Sequence, residues 1–229
     1  MAALTYLQLC NQVVGKCGIN GGDMSSVLNQ SGEFLRVTRW VSEAYLNIQE
    51  LHRDWLWMQA DVSFQTAPNQ GAYTPAQIGL TDFASWIDDS FRCYLTSAGT
   101  PAEQFLQSMD YPDFRDVYLF GAQRTQFNQP EVLAVGPDKS LIFGPAPDAQ
   151  GYTITGKYYR APSDLVGNAS VPLLPARFHM LIVYEAMKSY GLYEAASETI
   201  AEAERQYNRM LQRLMMDQLP EFGIAGALA

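Results

Sequence analysis

Apolar residues recur with the period of a helix at both ends of the chain and with the period of a strand in its middle. Near the N-terminus, Leu9, Val13 and Cys17 fall on one side of a 3.6-residue repeat. Thr5 and Gln8 have the spacing of a capping box, Leu4 and Leu9 that of a hydrophobic staple, and Gly18 supplies a stop. A second stripe, Phe34, Val37, Val41, Ala44, Ile48, Leu51 and Trp55, predicts a helix that opens at Ser31-Gly32-Glu33 and ends near Trp57 or Met58. From 176 to 217 a third pattern, which includes Phe178, Ile182, Ala203, Tyr207 and Leu214, follows Pro175. Gly191 interrupts it and Ser197 or Thr199 could cap a new helix, so both one helix and two fit the pattern.

The middle reads differently. Asp61-Val62-Ser63-Phe64-Gln65 alternates, and Arg92 to Thr96 reads as a strand. Glu131 to Val135 and Ser140 to Phe143 flank Gly136-Pro137-Asp138-Lys139 as a hairpin. Tyr152 to Tyr159 forms another strand, with Gly156 marking a bulge. Residues 113–118 fit a short helix as well as a strand. The class this predicts is α+β: a helical bundle, made of an N-terminal helix pair and C-terminal helices, with a β-rich insertion between. The divisions are 1–59 for the first helices, 60–174 for the insertion, 175–217 for the last helices and 218–229 for an extended tail.

Composition narrows the function. The chain has 229 residues, 48% hydrophobic, and a formal net charge of −9, the wrong sign for a protein that wraps a nucleic-acid backbone. Cys10, Cys17 and Cys93 lack metal or redox spacing and read as buried thiols. No stretch approaches the ~18 apolar residues of a membrane span, and the N-terminus has no basic region followed by an apolar run. His52 and His179 belong to no catalytic or metal motif, so no catalytic, cofactor-binding or metal residue is assigned and no cofactor is expected. One acidic cluster, Asp82, Asp88 and Asp89 around Trp86, admits a polysaccharide hydrolase reading.

Three features admit contacts with other chains, beside plainer readings: a solvated charged face for the arginines, solvent for Glu185 and core packing for the tryptophans. Arg205, Arg209 and Arg213 recur every four residues on the face away from the apolar stripe, with Glu202 in reach of Arg205 and Asp217 in reach of Arg213. Phe222, Ile224 and Leu228, spaced by Gly and Ala, have no companion element and suit a groove on a partner. Glu185 sits close to an apolar side, where a carboxylate needs a counter-ion or a subunit contact, and Trp55 and Trp57 are candidate contact aromatics.

Several stretches, taken in order, carry a resemblance: 5–11 (TYLQLCN), 31–36 (SGEFLR), 52–57 (HRDWLW), 143–148 (FGPAPD), 158–162 (YYRAP) and 184–187 (YEAM). In these the chain resembles the head-to-tail adaptor (connector) proteins of tailed bacteriophages, within the adaptor group of short-tailed phages. The resemblance implies a structural, non-enzymatic virion protein in the neck, assembled from host cytoplasm as a dodecameric ring. Such a ring binds the portal protein above and a tail or nozzle protein below, and DNA passes through its channel without specific binding. It also implies portal docking by the C-terminal helix and tail, which fits Arg205, Arg209, Arg213, Phe222, Ile224 and Leu228. The other readings are a stopper or tail terminator of the same stack, and the hydrolase.

Overall fold

The structure, a computed structural model, describes residues 2–220. Those residues form five α-helices and two four-stranded sheets, an α+β arrangement with helices at both ends of the chain. They divide into a helical unit, residues 2–58 with 162–220, and a sheet unit, Gln59–Ala161.

The helical unit begins with α1 (Tyr6–Cys17), whose capping box is complete: Gln8 N–H donates to Thr5 Oγ1 and Thr5 N–H to Gln8 Oε1. The next two N–H groups, of Tyr6 and Leu7, donate to the carbonyls of Ser170 and Asn168, so the start of the helix is satisfied twice over. Gly18 ends it with φ +64°, a left-handed conformation that glycine adopts without a Cβ clash. The segment that leads from the sheet unit into the last helices is stitched down by side chains. Gln49 exchanges two hydrogen bonds with Ser163, and Leu173 N–H donates to Tyr45 Oη.

Helix α2 (Gly32–Glu50) is shorter than its periodicity predicts. It stops well before Trp57 because Trp55 folds back, its Nε1 donating to the carbonyl of Ile48 at 3.0 Å. That bond satisfies one of the orphan carbonyls of the last turn and buries the indole completely, at 0% exposure. Trp55 is therefore a core residue and the expectation of a subunit contact through it is corrected. Its burial in its own subunit leaves it no surface to share.

The C-terminal pattern is two helices, α4 (Met180–Tyr193) and α5 (Ser197–Gln218), with α3 (Tyr111–Tyr118) lying earlier in the sheet unit. Gly191 is not the break. It lies inside α4, where a Cβ would come within 2.6 Å of Ile200 Cγ1, so its role is to let α5 approach. The corner falls at Ala195, with φ +53°, and neither Ser197 nor Thr199 caps α5, whose N-cap is Ala196. Helix α4 packs against α1, α2 and α5. At its start the buried His179 accepts from Leu4 N–H at Nδ1, 2.9 Å, which leaves Nε2–H to donate to the Leu174 carbonyl at 2.8 Å.

The sheet unit holds β1 (Gln59–Gln65), β2 (Ala72–Tyr73), β3 (Phe83–Leu95), β4 (Gln104–Phe105), β5 (Gln107–Ser108), β6 (Val132–Val135), β7 (Leu141–Gly144) and β8 (Tyr152–Arg160). One sheet has the order β1-β8-β3-β4 and the other β2-β7-β6-β5. Val62, Phe91, Cys93 and Ile154 from the first share a core with Tyr73, Leu133, Leu141 and Phe143 from the second. The irregularity at Gly156 is real, but the extra residues are on β3. Ile87 pairs with Lys157 and Arg92 with Thr155, so Asp88 to Phe91 all face the single residue Gly156. A Cβ there would sit 2.4 Å from Phe91 Cδ1, which shows that the phenyl ring fills the space a side chain would need.

Gly156→Ala should therefore destabilise the protein by ~1–3 kcal/mol through overpacking, and Phe91→Leu in the same chain should recover part of the loss; urea unfolding midpoints measure both. His179 gives a pH dependence. Desolvation holds its pKa below the usual histidine value, so the unfolded chain binds a proton before the folded one does. Stability should be full above about pH 6.5 and fall as the pH drops below it, because the protonated ring can no longer accept from Leu4 N–H. His179→Gln should flatten that part of the profile of unfolding midpoint against pH.

Candidate functional site

The region with most to offer a partner is the outer face of α5. Its inner face, Ala203, Tyr207 and Leu214, is buried in the helical unit, which fixes the rotation of the helix and turns Arg205, Arg209 and Arg213 outward. The three are exposed. Arg205 pairs with Glu202, and Gln206 Nε2 also donates to Glu202 at 2.9 Å; these hydrogen bonds, Gln206 first, hold the Glu202 carboxyl below its ordinary range. Among the described residues Arg209 and Arg213 have no carboxylate partner.

Asp217 does not turn to Arg213, as spacing alone suggested. It pairs with Arg177, from the turn that precedes α4, and that bond holds its carboxyl below the usual value. Arg177 also lies over the ring of Phe178, 4.9 Å from its centroid. Together Arg177, Phe178, Met210, Arg213 and Asp217 line an open hollow of about 300 Å³ at the C-terminal end of α5. Its lining combines the apolar Phe178 and Met210 with two guanidinium groups, one of them already paired with Asp217. Arg177 and Phe178 were absent from the sequence reading of this site, because only the fold brings 177 to 217. Phe222, Ile224 and Leu228 lie outside the described residues.

Glu185 finds its counter-ion on its own helix. Lys188, three residues on, pairs with it, and the ammonium sits 4.0 Å from the centroid of the Tyr207 ring. Burial, and then the Glu185 charge, push the Tyr207 hydroxyl up to about 12. Lys188 was absent from the sequence reading of Glu185, although the i, i+3 spacing from 185 to 188 is a local signal that could have found it. Trp57 is half-buried beside Trp55, ring centroids 6.1 Å apart, and its Nε1 is enclosed with no acceptor among the described residues.

The acidic cluster in the sheet unit comes apart. Asp82 accepts from Tyr158 Oη at 2.8 Å and pairs with Arg160 at 3.3 Å, whereas Asp88 and Asp89 are exposed on the β3 bulge. Trp86 is in the core, with Nε1 donating to the Lys139 carbonyl, so it offers no open ring for a sugar. Burial pushes the Cys10 and Cys93 thiols up to about 12 and the Cys17 thiol to about 11, which removes the thiolate at neutral pH. No helix among the described residues is long and apolar enough to cross a membrane.

The α+β fold thus carries an exposed run of arginines along α5. Residues 4–225 match the family described as SU10 adaptor protein, and the chain belongs to that family. It is a phage structural adaptor protein. No curated protein matches the chain.

Lys188→Ala should leave Glu185 without its counter-ion in a largely covered position and cost ~1–3 kcal/mol. Adding Glu185→Gln should restore much of that loss, since the uncompensated charge is then gone. Chemical unfolding of the two variants beside the parent chain provides the comparison.

Proposed function

We propose that this protein is the head-to-tail adaptor of a tailed phage, assembled as a dodecameric ring that docks on the portal and carries the tail or nozzle component. DNA passes through the ring without sequence-specific contact, in keeping with a net charge of −9. Its place is the neck of the virion, reached from host cytoplasm during assembly. Portal docking falls to the outer face of α5, with Arg205, Arg209 and Arg213, continued by Phe222, Ile224 and Leu228 of the tail. The observation that carries this reading is the concentration of guanidinium groups along one exposed helix face of an acidic chain, Arg209 and Arg213 having no acidic partner among the described residues. A strip of that kind fits a portal surface rich in carboxylates, and apolar tail residues next to it supply the desolvated anchors that charge alone does not.

The test is to mix the purified chain with the portal protein of the same phage and measure complex formation by native mass spectrometry and sedimentation. Arg209→Glu with Arg213→Glu should weaken binding at least tenfold, about 1.4 kcal/mol, and make it less sensitive to salt. A chain ending at Pro220 should lose most of its binding. Equal binding by both chains would remove the tail from the docking surface, and full binding by the arginine variant would remove the helix face.

A further inference from the structure

The first sheet of the sheet unit has two unlike edges. On one side, among the described residues, β1 pairs only with β8, in an unbroken register from Gln59↔Tyr159 to Gln65↔Thr153. Thr66 N–H, next in line, donates to the Tyr152 carbonyl at 2.8 Å, which sets the alternation of the ladder. The residues bonded to β8 are then Ala60, Val62 and Phe64, and the backbone N–H and C=O groups of Gln59, Asp61, Ser63 and Gln65 point outward from the sheet edge. Natural edges of this length are usually guarded by charged side chains, lysine above all, by proline, by a bulge or by a covering segment. β1, Gln-Ala-Asp-Val-Ser-Phe-Gln, has no lysine, proline or bulge, and its one charge is Asp61.

The opposite edge is short. β4 pairs with β3 through Arg92↔Phe105 and Cys93↔Gln104, and Leu106 N–H donates to the Phe91 carbonyl. By the same alternation the backbone groups of Phe105 point outward, and its side chain is 57% exposed. Further back along β3 the Ala84 carbonyl is already taken by Lys139 Nζ at 3.0 Å.

We propose that this sheet runs on from one copy of the chain to the next, β1 of one copy pairing antiparallel with β4 of its neighbour. β1 runs parallel to β3, and β4 antiparallel to it, so copies related by a rotation about a common axis present these edges in antiparallel register. Charge fits the same seam. The Asp61 side chain, 87% exposed and tied only loosely to Lys157 at 3.8 Å, lies on the solvent face of β1. On that face the neighbour brings Arg92, which shares its charge with Glu103 and lies 5.7 Å from the centroid of the Phe105 ring. Because the two edges differ, the contact is heterologous: it repeats from copy to copy and makes a ring when the rotation between copies closes, which a β1-to-β1 contact cannot do. The inference rests on the ring reading and names the surface that makes the ring.

The full chain carrying Asp61→Cys with Phe105→Cys, or Ser63→Cys with Phe105→Cys, is assembled with the portal protein of the same phage, oxidised, and resolved without reductant. At least one pair should give a ladder that extends past the dimer, whereas each single variant and the parent chain should not. A dimer from Ser63→Cys alone would overturn the proposal in favour of a two-fold contact. No cross-link from either pair, while native mass spectrometry shows an intact ring, would overturn it and leave the ring reading standing. If the parent chain forms no ring with the portal, the ring reading fails and this inference with it. Ser63→Pro removes an outward N–H and spares the bonds to β8, and should reduce ring formation at least tenfold with an unchanged circular dichroism spectrum. Ser63→Lys, which places a charge at the same edge, should do likewise if the proline variant does not fold. Ring formation at the parent level by a folded variant would overturn the proposal.

Discussion

Burial of α4 on several sides is the constraint from which the helical unit follows. Leu181, Ile182, Val183, Ala186, Met187 and Gly191 are all covered, and helices from before and after the sheet unit supply the cover. A helix apolar almost all round cannot stand at a surface, so α1, α2 and α5 must reach it from both ends of the sequence. His179 fixes where that helix starts. With one ring nitrogen accepting from Leu4 and the other donating to Leu174, it joins residues 175 positions apart and leaves no buried polar atom of its own unsatisfied. The rotation of α5 is decided by the same packing: once Ala203, Tyr207 and Leu214 turn inward, the arginines have nowhere to go but out.

In the sheet unit the corresponding constraint is Phe91. By sliding over Gly156 it brings an aromatic ring into the shared core, and the price is a four-residue excursion of β3 that carries Asp88 and Asp89 out to solvent. Acidity at that point is a by-product of packing rather than the trace of a catalytic pair, and Trp86, on the other side of the irregularity, is committed to the core.

What could be read from the residues in order depended on how local the determining contact is. α1 was legible because its cap and its stop both lie within a residue of its ends. The end of α2 was not, since apolar spacing continues through Leu51 and Trp55, and only a hydrogen bond back to Ile48 reveals that the chain has turned. The first half of β3 escaped notice because the bulge destroys alternation, and β2, β4 and β5, two residues each, are too short to have a period. Gly191 signalled something unusual, but the same absence of a side chain serves a break and a close helix contact equally well. The Arg205, Arg209 and Arg213 face was visible from spacing. The preference of Asp217 for Arg177 over Arg213 was not, because that choice is made between helices rather than along one. The pairing order of the strands was not legible either, because an edge is defined by which neighbour is missing and β1 has neither the lysine nor the proline that often marks one.

The register of β1 against β8 has one more consequence. Gln59, the first residue of the sheet unit, lies opposite Tyr159, two before its last, one strand spacing of ~5 Å away, so the chain enters and leaves the unit at neighbouring points. Closing such a gap takes little loop entropy. The two stretches of chain that build the helical unit are therefore held near one another by the base of the sheet unit, and the length of the segment between those points adds little to the entropy of bringing them together.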